Sequence, residues 1–517
     1  MDWANVRERL FKQNGGTARY EVIAEEITRD ITFGRLRPGE RLPTVRHLAS
    51  ELGVSATTVA AAYNLLNQDR WINSEVGRGT FVSSYMNDRS GNRSTMNSNE
   101  NNFLPSGSTS VFLTRTPPAP SWRRRALMAS AARLRAAHSN AFDCSTVRPD
   151  TSLLPLMILQ KAWQKAIDAT QHADLQYASP EPVASLIREI LPRLNGDGVA
   201  AQETDLIVAS SAQQFMVLAM QIVAALSGRP EIVVAVEEPG YPTIFDAYER
   251  AGCKLVGVDV DEQGALPQSL DAALSEGINA VLLTPRAHNP TGASWSVDRM
   301  MALADVLAAY PGVIAIEDDH FAGATATRSG SLISDRRIED RVIYIRSFSK
   351  SMGPDLRIAV AVARTRLRTL IAEAESFADG WCSHLTQRAL ANALADTELD
   401  SVLAAARSTY TERRICASRV LQESLGARGG WALSGTDGLN IWVHLPPGVD
   451  SVEVIERAAA SGVIVASGEP FFIRPGRSDV VRLNAGAVSA ERVMMAAKAL
   501  STAALTAVDI TCNTFPV

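Results

Sequence analysis

The chain has 517 residues, more than one hydrophobic core usually supports, so we expect more than one domain. A formal net charge of only −5 excludes a uniformly basic nucleic-acid-binding chain and requires any such contact to come from a local basic surface. The five cysteines are scattered without a CxxC pair, which indicates neither a disulfide framework nor a zinc site, and no apolar run has the length of a bilayer span. We therefore expect a cytoplasmic protein.

The N-terminal region predicts three helices followed by a small β-wing. Isoleucines at helical spacing predict a first helix over 20–36. A second helix begins after Thr44, whose hydroxyl can cap it, and ends at Gly53. Ser55 can cap a third helix, after which a glycine-containing segment supplies two short strands. Two short helices joined by a tight turn and followed by a wing are typical of a winged helix-turn-helix.

Three motifs in this region resemble the winged helix-turn-helix of GntR-type regulators. They are Leu42-Pro43-Thr44-Val45-Arg46, Gly53-Val54-Ser55-Ala56-Thr57-Thr58-Val59 and Gly77-Arg78-Gly79-Thr80-Phe81-Val82. The resemblance implies that five residues contact DNA, from the recognition helix, the helix before it and the wing: Arg46, Ser55, Thr57, Thr58 and Arg78. Ala56 departs from the family, which commonly has arginine there. The alternative is a protein-binding winged helix in which Arg46 and Arg78 are solvated surface charges.

Residues 85–141 lose this pattern and are rich in Asn, Ser and Gly. Such a stretch cannot bury enough apolar surface to offset its ordering entropy, so we expect a flexible linker. It ends in a basic patch, Arg123-Arg124-Arg125, followed by a stretch that can form a short helix. A basic run is usually a solvated face; the alternative is that it follows DNA phosphates beside the winged helix.

From residue 142 onward, apolar runs typical of buried strands alternate with amphipathic segments. Six such runs are present: 205–210, 231–236, 254–260, 279–284, 312–318 and 341–347. Helix-length segments separate most of them. This order predicts an α/β domain with a largely parallel sheet covered by helices.

Lys350 comes just after the last of these runs, with Ser347, Ser349 and Arg357 close to it in the chain. Its amine can form a Schiff base with an aldehyde, while the hydroxyls and the guanidinium hold a nearby phosphate. Taken alone, this motif is equally compatible with a surface lysine in a loop. Asp318 closes an earlier strand and can pair with a protonated pyridine nitrogen, which makes pyridoxal phosphate an electron sink.

Other polar residues at strand ends extend the same pattern. Asn289 can donate to the 3'-oxygen of the ring, Tyr241 can stack on its face, and Arg482 can hold a ligand carboxylate through two parallel hydrogen bonds. An anion site for the phosphate is predicted at the free N–H groups of a helix start, at Ser211, Ala212 and Gln213.

These strand-end motifs follow the order found in fold-type-I aminotransferases, and the resemblance covers about residues 142–503. The fusion of a GntR-like winged helix, a linker and this domain resembles the MocR/GabR type of regulator. The resemblance implies a pyridoxal-phosphate-binding domain with a small α+β subdomain, a head-to-tail homodimer, and transcription control by the cofactor or an amino compound through a Lys350 aldimine. We therefore expect a DNA-binding domain at 1–84, a linker at 85–141 and an aminotransferase-like domain at 142–517.

Four residues depart from the aminotransferase pattern. His320 stands where the family usually has tyrosine, so we expect its ring to contact the 3'-oxygen; the alternative is a plain polar residue. Ser211 replaces a glycine of the phosphate cup, and Val183 and Arg346 stand near usual glycine positions. These changes favour a sensor over an efficient transaminase. The alternatives are a working aminotransferase with an accessory DNA-binding module, and a degenerate fold that only dimerises the DNA-binding arms.

Overall fold

The computed structural model describes residues 19–82 and 122–514, apart from short gaps at 33–35, 37–38, 69–70, 76–78, 230, 326, 328–329, 434, 436 and 475. The chain divides into two compact units, Met1–Pro120 and Ser121–Val517. In the part of the chain that the structure describes, no helix combines the length and apolar character needed to cross a bilayer.

The first unit has the predicted order of helices and wing. Its elements are α1 (Arg19–Thr32), α2 (Val45–Leu52), α3 (Ala56–Gln68), β1 (Ile72–Glu75) and β2 (Gly79–Val82). The two strands pair antiparallel, and an isolated bridge joins Arg41 to Phe81. α1 is described as far as Thr32, the next three residues of the predicted helix lie outside the described residues, and Leu36 is not helical.

Local capping and one apolar core explain this arrangement. The Thr44 hydroxyl accepts from the backbone N–H of His47 at 3.3 Å, and Gly53 ends α2 in the left-handed conformation with φ 67°. The faces predicted to point inward are buried together, including Leu52 of α2 and Val59 of α3. The predicted caps and inner faces of α2 and α3 are therefore confirmed.

The second unit contains the remaining elements. Its helices are α4 (Trp122–Ala137), α5 (Leu156–Asp168), α6 (Ala184–Gly196), α7 (Ala212–Ser227), α8 (Pro242–Arg250), α9 (Pro267–Leu274), α10 (Val297–Ala308), α11 (Thr365–Phe377), α12 (His384–Leu394), α13 (Leu399–Leu425), α14 (Ser451–Ala460) and α15 (Ala490–Thr514). Its strands are β3 (Phe142–Asp143), β4 (Leu206–Ala209), β5 (Val233–Glu238), β6 (Lys254–Asp261), β7 (Gly264–Ala265), β8 (Ala280–Leu283), β9 (Ile314–Asp319), β10 (Val342–Ser347), β11 (Ala359–Ala363), β12 (Trp431–Leu433), β13 (Asn440–His444), β14 (Val463–Ile464), β15 (Ala466–Ser467) and β16 (Val480–Asn484).

The large sheet has the order β4-β11-β10-β9-β8-β5-β6-β7, and all six predicted runs form strands in it. The pairs β10–β9, β9–β8, β8–β5 and β5–β6 are parallel, as predicted. β11 was not predicted, and it runs antiparallel to both β10 and β4. Successive residues of one strand enter different cores: Leu283 packs on one face of the sheet and Leu282 on the other.

A smaller subdomain follows in the chain. Its four-stranded sheet has the order β12-β13-β16-β15, and β14 pairs parallel with β3 beside it. Residues of α13, α14 and α15 share one apolar core with these strands. This is the small α+β subdomain that the family resemblance implies.

Helix α4 corrects the C-terminal boundary of the predicted linker. Residues 122–141 were assigned to the linker, yet Trp122–Ala137 is a helix whose Leu134 is fully buried in the core of the small subdomain. The division between the two units falls at Pro120, not at residue 141. Burial of this apolar side chain supplies the stabilisation that the polar stretch before it lacks.

Arg123 is also not the solvated or DNA-following charge that the basic patch suggests. Its guanidinium is fully buried and lies 3.2 Å from the Asp246 carboxylate and 2.7 Å from that of Glu249. It also donates to the backbone carbonyls of Phe472 at 3.0 Å and Ile473 at 2.5 Å. Arg123 therefore anchors α4 to α8 and to the segment before β16, whereas its neighbours Arg124 and Arg125 are exposed.

Candidate functional site

The register of the large sheet brings the predicted phosphate-end residues to one edge. Ser347 at the end of β10 pairs with Ala359, and Ala359 pairs with Ala209 at the end of β4. The segment that begins α7, the Lys350 loop after β10 and the residues just before β11 therefore meet at this edge. Asp318 pairs with Ile345 two residues before the end of β10.

At this edge Lys350 is half-buried, and its ammonium donates to the backbone carbonyl of Val147 at 2.9 Å. Burial lowers the pKa of Lys350 from its usual 10.5 to about 8; the nearby Arg482 charge also lowers it, and Asp318 opposes the change. The neutral, nucleophilic amine is therefore accessible near neutral pH, as Schiff-base chemistry requires.

The Asp318 carboxylate is buried at the end of β9 with an unsatisfied oxygen. Its Oδ1 has no hydrogen-bond partner among the described residues, and its Oδ2 lies 3.5 Å from Nδ1 of His320. That ring nitrogen is itself buried without a hydrogen-bond partner in the described part of the chain. Because an unsatisfied buried carboxylate oxygen is costly, a protonated ring nitrogen fits this position.

Asn289 and Arg482 lie side by side. The carboxamide oxygen of Asn289 accepts from Arg482 at 3.0 Å and from Asn440 at 3.3 Å, which leaves its NH2 group as the donor. Arg482 is only 4% exposed and also donates to the Ser145 carbonyl at 2.5 Å. No carboxylate of the described residues lies within ion-pair distance of it, and burial lowers the pKa of Arg482 to about 9. A ligand carboxylate suits this guanidinium.

The predicted phosphate end lies at the start of α7, where the first N–H groups of a helix have no carbonyl partner within it. The Ser211 hydroxyl caps α7 by accepting from the N–H of Gln214 at 3.1 Å. Ala212 is buried and Gln213 is exposed. The serine side chain therefore bonds to its own helix, which accounts for its tolerance at a position that is usually glycine.

Four further predicted residues, Ser347, Ser349, Arg357 and Tyr241, lie at or beside strands of the same sheet. The Ser347 hydroxyl accepts from the N–H of Ser349 at 3.2 Å. Arg357 is exposed and has φ 50°, in the left-handed region. Burial raises the pKa of Tyr241, whose hydroxyl bonds to Thr243 and lies within the electrostatic reach of Asp318.

Two buried residues of this region, Glu237 and His288, were not singled out from the sequence. His288 bonds through Nδ1 to the hydroxyl of Thr291 at 2.8 Å, and its Nε2 lies 3.5 Å from Glu237. Burial raises the pKa of Glu237 to about 8 and lowers that of His288 to about 3, with His320 also lowering the latter. Burial therefore favours the uncharged form of both side chains, and Glu237 lies within the electrostatic reach of Asp318. The only sequence signal of this pair is adjacency to the motifs of Tyr241 and Asn289.

The remaining departures from the aminotransferase pattern have local explanations. Arg346 is buried and contacts the carboxylate of Asp197 at 2.8 Å and the hydroxyl of Tyr344 at 3.0 Å, so its side chain joins a buried ion network. Val183 precedes α6 with φ −67° and donates its N–H to Gln387 at 2.9 Å. Neither backbone position requires glycine.

Of the five residues predicted to contact DNA, four are described. Ser55 and Thr57 are exposed and Thr58 is half-buried at the start of α3, while Arg46 is exposed on α2. The Ser55 hydroxyl accepts from the N–H of Thr58 at 3.1 Å, as a cap of α3 does, and lies 2.7 Å from the hydroxyl of Thr57. Arg78 lies outside the described residues. The DNA contacts themselves stay predictions.

Comparisons with known proteins match both units. Residues 19–82 match the bacterial regulatory proteins of the gntR family, and residues 150–500 match aminotransferase class I and II. The vitamin B6 salvage pathway transcriptional repressor PtsJ of Salmonella typhimurium is 31% identical over 87% of this chain and 90% of its own length. The pyridoxine biosynthesis transcriptional regulator PdxR of Corynebacterium glutamicum is 26% identical over 78% of each chain.

Solved structures resemble the second unit. The α-aminoadipate aminotransferase LysN of Thermus thermophilus, complexed with N-(5'-phosphopyridoxyl)-L-leucine, has a TM-score of 0.65 and 22% identity, over 75% of this chain and 98% of its own. This likeness supports the fold-type-I assignment. The chain belongs to the GntR-type transcription regulators that carry an aminotransferase class I and II domain, the MocR-type architecture, and pyridoxal phosphate is the cofactor of that domain.

Proposed function

We propose that this regulator binds promoter DNA through the start of α3 and responds to pyridoxal phosphate, or to an amino compound that reacts with it, at Lys350. One observation carries the proposal: Lys350 and Arg482 lie at the same site, and the described residues supply neither with a carboxylate at ion-pair distance. Cations removed from water without an anionic partner reduce stability. Their retention favours a site that an anionic ligand completes.

Each residue has a role that its environment supports. Bound pyridoxal phosphate supplies an aldehyde and an electron-withdrawing ring. Asp318 holds the proton on the ring nitrogen, and the NH2 group of Asn289 donates to the ring oxygen. The start of α7, together with Ser347, Ser349 and Arg357, binds the phosphate. Arg482 binds a carboxylate of the amino compound.

The names of two relatives support a vitamin-B6-related effector. PtsJ is named as a repressor of the vitamin B6 salvage pathway and PdxR as a regulator of pyridoxine biosynthesis. Extending this relation to the present chain makes pyridoxal phosphate itself the first effector to test. A head-to-tail homodimer, action in the cytoplasm and a ring contact for His320 belong to the same proposal.

The second candidate is a working aminotransferase with an accessory DNA-binding module. The environments of Lys350, Asp318 and Asn289 are compatible with it. It predicts many turnovers with an amino acid and a keto-acid acceptor, whereas the sensor predicts at most a single turnover per site.

The test is a visible absorption spectrum of the full-length protein with pyridoxal phosphate, repeated for Lys350→Ala and for Lys161→Ala, an exposed lysine of α5. We expect a band in the wild type and in Lys161→Ala, with none in Lys350→Ala, and a change in operator affinity when the band forms. A protein that forms no band but retains full operator affinity would contradict the proposal and favour a dimerising, cofactor-free fold.

A further inference from the structure

A segment that runs from the last residue of β3 toward α5 contacts both cations of the site. This segment, residues 143–150, is called the strap. Its Val147 carbonyl accepts from Lys350 at 2.9 Å and its Ser145 carbonyl accepts from Arg482 at 2.5 Å. The strap therefore uses backbone oxygens to satisfy donors that a ligand would otherwise take.

Both ends of the strap are fixed by contacts outside the site. At one end the N–H of Cys144 donates to Ile464 at 2.8 Å, and its carbonyl accepts from Asn484 at 2.9 Å. At the other end, Arg413 donates to the Asp150 carboxylate at 2.9 Å. Between them, the Thr146 hydroxyl is buried without a hydrogen-bond partner in the described part of the chain. The middle of the strap is thus bonded to the two cations that the ligand would engage, and the side chain of Val147 packs against an apolar cluster that includes Phe321.

The strap is also bonded to α4, the helix that lies within the range predicted as linker. The N–H and hydroxyl of Ser145 donate to Asp143 Oδ1 at 2.8 and 2.6 Å. The other oxygen of Asp143 accepts from Arg135 of α4 at 2.5 Å. These hydrogen bonds form a continuous path from Arg482 through Ser145 and Asp143 to α4.

We propose that the strap couples the ligand site to α4: a ligand that engages Lys350 and Arg482 displaces the carbonyls of Val147 and Ser145, and the Asp143–Arg135 pair transmits this release. The inference rests on the proposed function of Lys350 as the sensing residue. Ligand and strap compete for the same donors, so the ligand favours the strap-released state by its differential affinity. Since Arg123 and the buried Leu134 hold α4 in place, release at Asp143 loosens the end of the helix at Arg135 without detaching it.

Two arginines of α4 provide a matched test. Arg135 pairs with the strap through Asp143, whereas Arg133 pairs with Glu456 of α14, and their side chains are 45% and 40% exposed. We expect Arg135→Gln to keep the pyridoxal phosphate band and its ligand affinity. In Arg135→Gln, the factor by which the ligand changes the operator affinity should be about threefold or more closer to 1 than in the wild type. Arg133→Gln should keep the wild-type factor.

Hydrogen exchange of the wild-type, full-length protein tests the strap without any substitution. We expect the backbone amides of 144–150 to exchange faster once pyridoxal phosphate is bound. If the band forms and the ligand changes the operator affinity, but the exchange rates of 144–150 do not change, the strap proposal is wrong and the proposed function still stands. Faster exchange with a wild-type factor in Arg135→Gln would overturn the route through α4. Absence of the band in the wild type would overturn both proposals.

Discussion

Two regions of the second unit each bury an arginine, and the two environments are opposite. Arg123, at the anchor of α4, meets the carboxylates of Asp246 and Glu249 and two backbone carbonyls. Arg482, at the ligand site, meets a carboxamide oxygen and one carbonyl, with no carboxylate at ion-pair distance among the described residues. Arg123 therefore has its anionic partners within the protein, whereas Arg482 can receive one from a ligand.

The difference also appears in the acid–base chemistry of the ligand site. Burial there lowers the pKa of Arg482 to about 9 and that of Lys350 to about 8, because desolvation of each cation outweighs the opposing charges of Asp143 on Arg482 and of Asp318 on Lys350. The charge of Arg482 also lowers the pKa of Lys350. The same desolvation that makes Arg482 suited to a carboxylate prepares Lys350 to react as a neutral amine.

The largest expected effect is at the α4 anchor. Arg123→Met should lower the free energy of unfolding by about 3–5 kcal/mol, because it leaves Asp246 and Glu249 without their cation. The exposed neighbour provides the control: Arg124→Met should change stability by about 0.5 kcal/mol or less. Urea unfolding followed by tryptophan fluorescence measures both. Equal effects of the two substitutions would show that Arg123 is not the structural ion pair described above.

At the ligand site, the opposite pattern is expected. Arg482→Met should weaken binding of a carboxylate-bearing amino compound by about 2 kcal/mol or more, roughly 30-fold, because it removes a charge-assisted pair. The free energy of unfolding should stay near that of the wild type, since no carboxylate partner is lost. The absorption band is titrated with an amino acid and with the matching amine that lacks a carboxylate. We expect Arg482→Met to weaken binding of the amino acid only. Equal weakening of both ligands would contradict a carboxylate role for Arg482.

The smallest expected effect is a shift in a pH profile. Since the neutral amine is the reactive form, a pKa of about 8 for Lys350 predicts that its rate of reaction with pyridoxal phosphate rises up to about pH 8 and then levels off. Removing the positive neighbour in Arg482→Met should move this midpoint upward. Stopped-flow absorbance across pH 6–10 measures it. A wild-type midpoint close to 10, the usual range of lysine, would show that burial does not set the reactivity of Lys350.

Much of this organisation follows from local sequence. Apolar runs of strand length separated by helix-length segments determined six strands of the large sheet, because a buried parallel strand needs apolar residues on both faces. Thr44 and Ser55 marked helix starts, because their hydroxyls satisfy N–H groups only three residues away. Asp318 and Lys350 were placed together from their positions after strands, since parallel strands end at one edge.

Only the tertiary structure decided which hydrogen-bond and ion-pair partners each buried cation has. Arg123 lies 123 residues from Asp246, and Lys350 lies 203 residues from the carbonyl of Val147 that it contacts. Neither relation has a sequence signature, because a basic run has the same composition whether it is solvated or buried, and every residue carries a carbonyl. The antiparallel β11 is a short run of alanine and valine without a marker of its direction. The strap and the buried anchor are therefore products of long-range packing, in which distant segments supply each other's hydrogen-bond partners.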